Sequence, residues 1–284
     1  MTARLLYGKP IADALLEAVR ARVRDLTASL GRAPTLAIVQ TGNDLDVAVY
    51  TRSLLRACRA AGLQGVDVHL GATVDEPSAV QRVRQLGDDS GVDAILIQTP
   101  LVPTVRREAL LAALPPVKDV DGLTDESAGL LLRGAPRHVP ATAKALLLLA
   151  QDSGLKLAGA RAVVVGRSNV VGLPSALLLL RAQATVTICH RGTRDLAAET
   201  RRADLLVVAT GRPGLITGEM VATGAVVLDA GTTMTEQGLR GDVDAATVGE
   251  VAGLLTPVPG GVGPLTTAVL LEQVVAAADE RVGR

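Results

Sequence analysis

The chain has 284 residues, 48% of them hydrophobic, with 29 basic side chains against 29 acidic ones. That length suits two domains, or one large α/β domain with a sizeable core. The balanced charge argues against a protein that coats nucleic acid or another polyanion. Two cysteines, Cys58 and Cys189, occur without a CxxC or Cys/His cluster. A zinc site or disulfide framework is therefore not expected, no metal is implied, and a reducing cytoplasm fits best. No apolar run reaches the length of a membrane span. Trp and Phe are absent, so only Tyr7 and Tyr50 offer phenol rings to a flat ligand.

Apolar runs alternate with stretches of helical period along the chain. A helical stretch at 10–30 precedes a strand at 35–40, TLAIVQ. A second helical stretch, 50–61, is followed by a strand at 66–70, a helix at 77–87 and a strand at 93–98. The Pro- and Asp-rich run 115-PPVKDVDGLTDE-126 closes this first block. A helix at 141–152 leads to the strand 161–166, the helix 172–182, and strands at 185–190, 204–210 and 225–231. A last helix, roughly 264–280, follows. Strand–helix alternation predicts an α/β fold with parallel sheets. The division predicts a first domain at 1–140, rejoined by the C-terminal helix 264–284, and a second at 141–263.

The second block carries a phosphate-cradle pattern. After the strand RAVVVG comes 166-GRSNVVGLPSALLLL-180, with Gly166 closing the strand and Gly172 and Pro174 opening a helix. Glycine lets a backbone approach a ligand, and a helix N-terminus offers free N–H groups to an anion. The spacing is not GxGxxG, so the loop by itself leaves a flavodoxin-like or regulatory domain open. The next strand ends 188-ICHRGT-193, with Arg191 and no carboxylate. A carboxylate there would hold the ribose 2′-hydroxyl of NAD, whereas arginine suits the 2′-phosphate of NADP.

Together the motifs resemble the bifunctional methylenetetrahydrofolate dehydrogenase/cyclohydrolase family. The carriers are 165-VGRSNVVGLP-174, 256-TPVPGGVGPLTTAVLL-271, 115-PPVKDVDGLT-124, 95-ILIQTPLVP-103, 227-VLDAGT-232 and 241-GDV-243, in the family's order and spacing. The resemblance implies an N-terminal folate-side domain and a C-terminal Rossmann-type domain for NADP, with a cleft between them and a homodimer formed through the second domain. It implies oxidation of 5,10-methylene-tetrahydrofolate to the methenyl form, then hydrolysis to 10-formyl-tetrahydrofolate. It places Gly166, Arg167, Ser168, Gly172, Arg191, Gly211 and Thr232 at the cofactor. Tyr50, Gln98 and Asp121 fall at the reaction centre, and Pro259, Gly260 and Gly261 join Tyr50 and Asp121 around the substrate. A carboxylate at 121 can accept two hydrogen bonds from an aminopyrimidine edge; an exposed turn aspartate is the plainer reading. For Gln98 the plainer reading is a strand-end hydrogen bond, and for 259-PGGVGP-264 a tight turn into the last helix.

One stretch departs from the family. Its SxxYxxxK pattern falls here on Val47, Tyr50 and Leu54, and its proline after GDD on Leu45. Leu54 thus stands at the family's lysine position. Arg52 and Arg56 lie about 200° and 240° from Tyr50 around a helix, away from its face. Arginine also stays protonated and is a poor proton shuttle. The departure predicts a weak or lost cyclohydrolase step beside a working dehydrogenase. Two further readings are a paralogue that oxidises a non-folate imine-like or one-carbon substrate, and a silent folate- or NADP-binding protein.

Overall fold

The computed structural model describes residues 2–236 and 238–283. In chain order the elements are β1 (Arg4–Leu5), α1 (Lys9–Leu30), β2 (Thr35–Gln40), α2 (Leu45–Ala61), β3 (Gln64–His69), α3 (Glu76–Asp88), β4 (Ala94–Ile97), α4 (Arg107–Ala113) and α5 (Asp125–Arg133). They continue as α6 (Ala141–Asp152), β5 (Arg161–Val165), α7 (Gly172–Arg181), β6 (Thr185–Cys189), α8 (Leu196–Thr200), β7 (Leu205–Val208), β8 (Val226–Asp229), β9 (Thr233–Thr235), β10 (Gly238–Arg240), α9 (Ala245–Val248), β11 (Leu254–Leu255) and α10 (Val262–Val282). The chain divides into an N-terminal unit, residues 14–139 with 270–284, and a C-terminal unit, residues 1–13 with 140–269.

The N-terminal unit is built on a parallel sheet ordered β3-β2-β4. Every residue of the central strand β2 is buried. A continuous apolar run is what a strand covered on both faces requires. Ala37, Val39, Ile95 and Ile97 of the sheet pack with Ala79 and Val83 of α3 and Leu110 of α4. The helix ends follow local chemistry. Asp44 caps α2 by accepting from the N–H groups of Asp46 and Val47, and Gly62 ends it in the left-handed conformation. This cap starts α2 five residues before the predicted 50, which moves Tyr50 from the helix start into its second turn. The carboxylate of Asp93, fully buried, accepts from Arg32 and from Arg281 near the end of α10.

The C-terminal unit has a six-stranded sheet ordered β1-β11-β8-β7-β5-β6, parallel throughout. β9 and β10 form a separate antiparallel hairpin. Val163, Leu206, Val208 and Val227 pack its core. Residues 1–13 group with this unit rather than with the first domain predicted from the sequence. The reason is main-chain pairing: Arg4 and Leu5 add a strand beside Leu254 and Leu255. The opening of α10, 262–269, also groups here. A strand of two residues has no readable alternation, so β1 and β11 leave no sequence signal.

Candidate active site

In the C-terminal unit a cavity of about 420 Å³ opens at the carboxyl ends of β5, β6 and β7. Its polar lining includes Arg167, Ser168, His190, Arg191, Thr210 and Arg212. The loop after β5 is very closely packed. A Cβ on Gly166, at φ +124°, would lie 2.1 Å from the Ala209 carbonyl oxygen, and one on Gly172 would lie 2.2 Å from the Gly166 carbonyl oxygen. Side chains are therefore excluded at positions 166 and 172, the two ends of this loop.

The helix N-terminus departs from the sequence reading. The Ser168 hydroxyl accepts from the N–H groups of Val171 and Gly172, and the Ser168 carbonyl accepts from Leu173 N–H. These N–H groups are satisfied within the chain, so they are not free for an anion. Positive charge at the cavity comes instead from arginines 167, 191 and 212, and no carboxylate lines it. Arg212 was not among the sequence-predicted residues; its place after β7, across the cavity, is a tertiary fact. Gly211 precedes it with φ +68°. Thr232 is exposed just before β9 and does not line this cavity.

In the N-terminal unit the KDVDG run resolves residue by residue. The Lys118 ammonium donates to the carbonyls of Leu86 and Asp89 at the end of α3, and burial pushes its pKa down. The Asp119 carboxylate accepts from the N–H groups of Leu123 and Thr124 and from the Ser127 hydroxyl, fixing the turn into α5. Val120 is fully buried. Asp121 is half-buried, not the exposed turn residue of the plainer reading. It sits near enough to Tyr50 to act on its titration. Burial, reinforced by the Asp121 charge, pushes the Tyr50 phenol up to about 12. Tyr50 keeps 39% of its surface open, yet its phenol stays protonated at neutral pH and can donate a hydrogen bond.

Gln98 follows β4. Its main-chain N–H donates to the Val39 carbonyl, while its side-chain Nε2 is buried without a hydrogen-bond partner. The strand-end role thus falls to the main chain, and the amide nitrogen is left uncommitted. One turn beyond Tyr50, Leu54 is 1% exposed, and Val47 is 5% exposed. Arg52 and Arg56 point to solvent. Lys118 is the one lysine of this unit, and its ammonium is committed to α3. The Cys58 thiol, also on α2, is pushed up to about 12 by burial and is chemically quiet.

The 259-PGGVGP-264 run belongs to the C-terminal unit and forms a turn, with Gly261 N–H donating to the Pro257 carbonyl. Its neighbour is the chain's own N-terminal segment. Gly8 N–H donates to the Gly260 carbonyl, and a Cβ on Gly260 would lie 3.5 Å from the Tyr7 ring. Close by in the sequence motifs lie two buried carboxylates. Asp229 accepts from the N–H groups of Gly231, Asp242 and Val243, and burial raises its pKa to about 6 against those donors. Among the described residues no cluster of three or more His, Cys, Asp or Glu could hold a metal ion. No helix among them is long and apolar enough to cross a membrane.

The fold and cavity define a two-domain α/β protein with an N-terminal catalytic domain and a C-terminal Rossmann-like dinucleotide-binding domain. Residues 6–121 match the catalytic domain of tetrahydrofolate dehydrogenase/cyclohydrolase, and residues 140–282 match that family's NAD(P)-binding domain. The chain belongs to the tetrahydrofolate dehydrogenase/cyclohydrolase family. It is 46% identical to the bifunctional FolD protein of Bordetella avium over 280 residues, 98% of each chain. The FolD crystal structure from Campylobacter jejuni superposes with a TM-score of 0.94 at 35% identity, covering 98% of this chain and 99% of that one. The Trypanosoma brucei FolD, solved with NADP and an inhibitor, gives 0.94 at 34% identity over the whole of both chains. The lining fits such a cofactor: a loop without side chains at Gly166 and Gly172, and three arginines without a carboxylate. The cofactor is NADP.

Proposed function

We propose that this protein oxidises 5,10-methylene-tetrahydrofolate with NADP and that its cyclohydrolase step is weak or lost. Bound NADP supplies the hydride acceptor. The remaining chemistry falls to side chains of the N-terminal unit. Removing hydride from the methylene carbon leaves a cation shared by two nitrogens, so no proton need move in that step. Positioning and electrostatics suffice. Asp121 accepts from the aminopyrimidine edge of the folate, and the neutral Tyr50 phenol and the Gln98 amide orient the one-carbon unit.

Hydrolysis has a different requirement. Attacking water must lose a proton, and a ring nitrogen must gain one as its C–N bond breaks. That is general acid–base work, worth ~10²–10⁴-fold. The observation behind the proposal is the burial of Leu54 on the helix face that carries Tyr50, with the unit's one lysine occupied at α3. Tyr50, held neutral up to about 12, is no base at physiological pH.

Two assays run side by side test this. NADPH formation from methylene-tetrahydrofolate is expected, with methenyl hydrolysis close to the uncatalysed rate. Enzymatic hydrolysis matching the oxidation rate at neutral pH defeats the proposal. The apolar pair Val47 and Leu54 also favours a second reading, in which the substrate is another imine-like or one-carbon compound. NADP binding without folate binding selects that reading. Binding of both without turnover selects a silent binding protein.

A further inference from the structure

We propose that Arg212 recognises the 2′-phosphate of NADP and so helps separate NADP from NAD. The proposal rests on reading the cavity above β5, β6 and β7 as the dinucleotide site.

Three arginines from three different loops line this one cavity: Arg167 after β5, Arg191 after β6 and Arg212 after β7. None of the three guanidiniums makes an ion pair or hydrogen bond with another described residue. Like charges gathered around 420 Å³ with no carboxylate in the lining repel one another. A ligand group carrying about two negative charges removes that repulsion, and a phosphate monoester carries ~1.5–2 at neutral pH. The pyrophosphate and the 2′-phosphate are the anionic parts of the cofactor. With the N–H groups of residues 171–173 satisfied by Ser168, the α7 terminus supplies less of the recognition. Side-chain cations carry more of it.

Arg212 is also held ready. Asp242 is fully buried, and its Oδ2 accepts from Thr210 N–H, from the Thr210 hydroxyl at 3.0 Å and from Gly211 N–H at 2.9 Å. The same Thr210 oxygen accepts from Arg212 N–H at 3.2 Å. A buried carboxylate thus fixes the backbone of Arg212 through one hydroxyl, while its side chain stays exposed at the cavity. An anchor fixed before binding loses less freedom on binding. Arginine can meet a phosphate through two parallel N–H donors.

The test is calorimetric binding of NADP⁺ and NAD⁺ to the parent protein, Arg212→Gln and Arg212→Lys, with each variant's melting temperature as the check on folding. Arg212→Gln is expected to weaken NADP⁺ by roughly 10- to 100-fold, the span of a charge-assisted hydrogen bond, with NAD⁺ within about twofold. Its salt dependence for NADP⁺ should be shallower, and Arg212→Lys should recover part of the loss. Equal weakening of both cofactors, or a change under about twofold for NADP⁺, overturns the assignment. If the parent protein binds NADP⁺ no tighter than NAD⁺, the reading of the cavity as an NADP site falls, and the role of Arg212 falls with it.

Discussion

Leu54→Lys asks directly whether an ammonium at this position of α2 raises hydrolysis. Leu54 is 1% exposed, so the substitution places a cation on the buried face of α2. The methylenes of lysine keep much of the apolar contact, and the cost falls on the charge. A fully dry lysine has its pKa lowered by ~3–5 units. At ~1.4 kcal/mol per unit, that is ~4–7 kcal/mol. The geometry offers relief. Side chains on a helix lean toward its N-terminus, and one turn that way is Tyr50, 39% exposed. A lysine stem can reach that wetter rim, which brings the cost to ~2–3 kcal/mol, below the total stability of an ordinary domain. Methenyl hydrolysis, followed by absorbance with the uncatalysed rate subtracted, is expected to rise ~10²–10⁴-fold. It should increase with pH through the lowered lysine pKa, because the neutral amine is the base. NADPH formation should stay within a few-fold of the parent. A folded variant with intact NADPH formation and hydrolysis within about twofold of the parent refutes the reasoning.

Two structural predictions accompany it. Asp93→Ala leaves Arg32 and Arg281 without their shared carboxylate. Both guanidiniums are about 30% exposed and can rehydrate, so the expected loss is ~2–4 kcal/mol, at or below the usual cost of breaking a buried pair. Urea unfolding measures it, and hydrogen exchange should show the end of α10 opening first. Gly166→Ala forces a Cβ against the Ala209 carbonyl at a φ of +124°. A destabilisation of ~2–4 kcal/mol is expected from strain and overlap. Calorimetry should show NADP⁺ affinity falling with it, while Gly211→Ala, with no atom near its added Cβ, should cost less.

The family and the NADP domain are legible in the sequence. Six motifs in order carry the first, and the glycine loop with Arg191 carries the second. The long strands are legible too. TLAIVQ coincides with β2, because a fully buried strand writes its environment as an apolar run. The start of α2 is less legible, although its Asp44 cap stands in the sequence. LDVAV reads apolar without a helical period, and only the capping bonds show that the helix has begun.

Local pattern, in short range along the chain, determined the alternating fold, the strand sites and the family. What it could not supply was the partner of each polar group. KDVDG holds three charged residues in five positions, and nothing in its order says that Lys118 closes α3, that Asp119 fixes a turn, or that Asp121 stays half-buried near Tyr50. The same holds for Ser168, which satisfies the N–H groups at the start of α7, and for Arg4 and Leu5, which join a strand about 250 positions away. Hydrogen-bond partners and burial are set by three-dimensional neighbours, and those exist only once the sheets have formed.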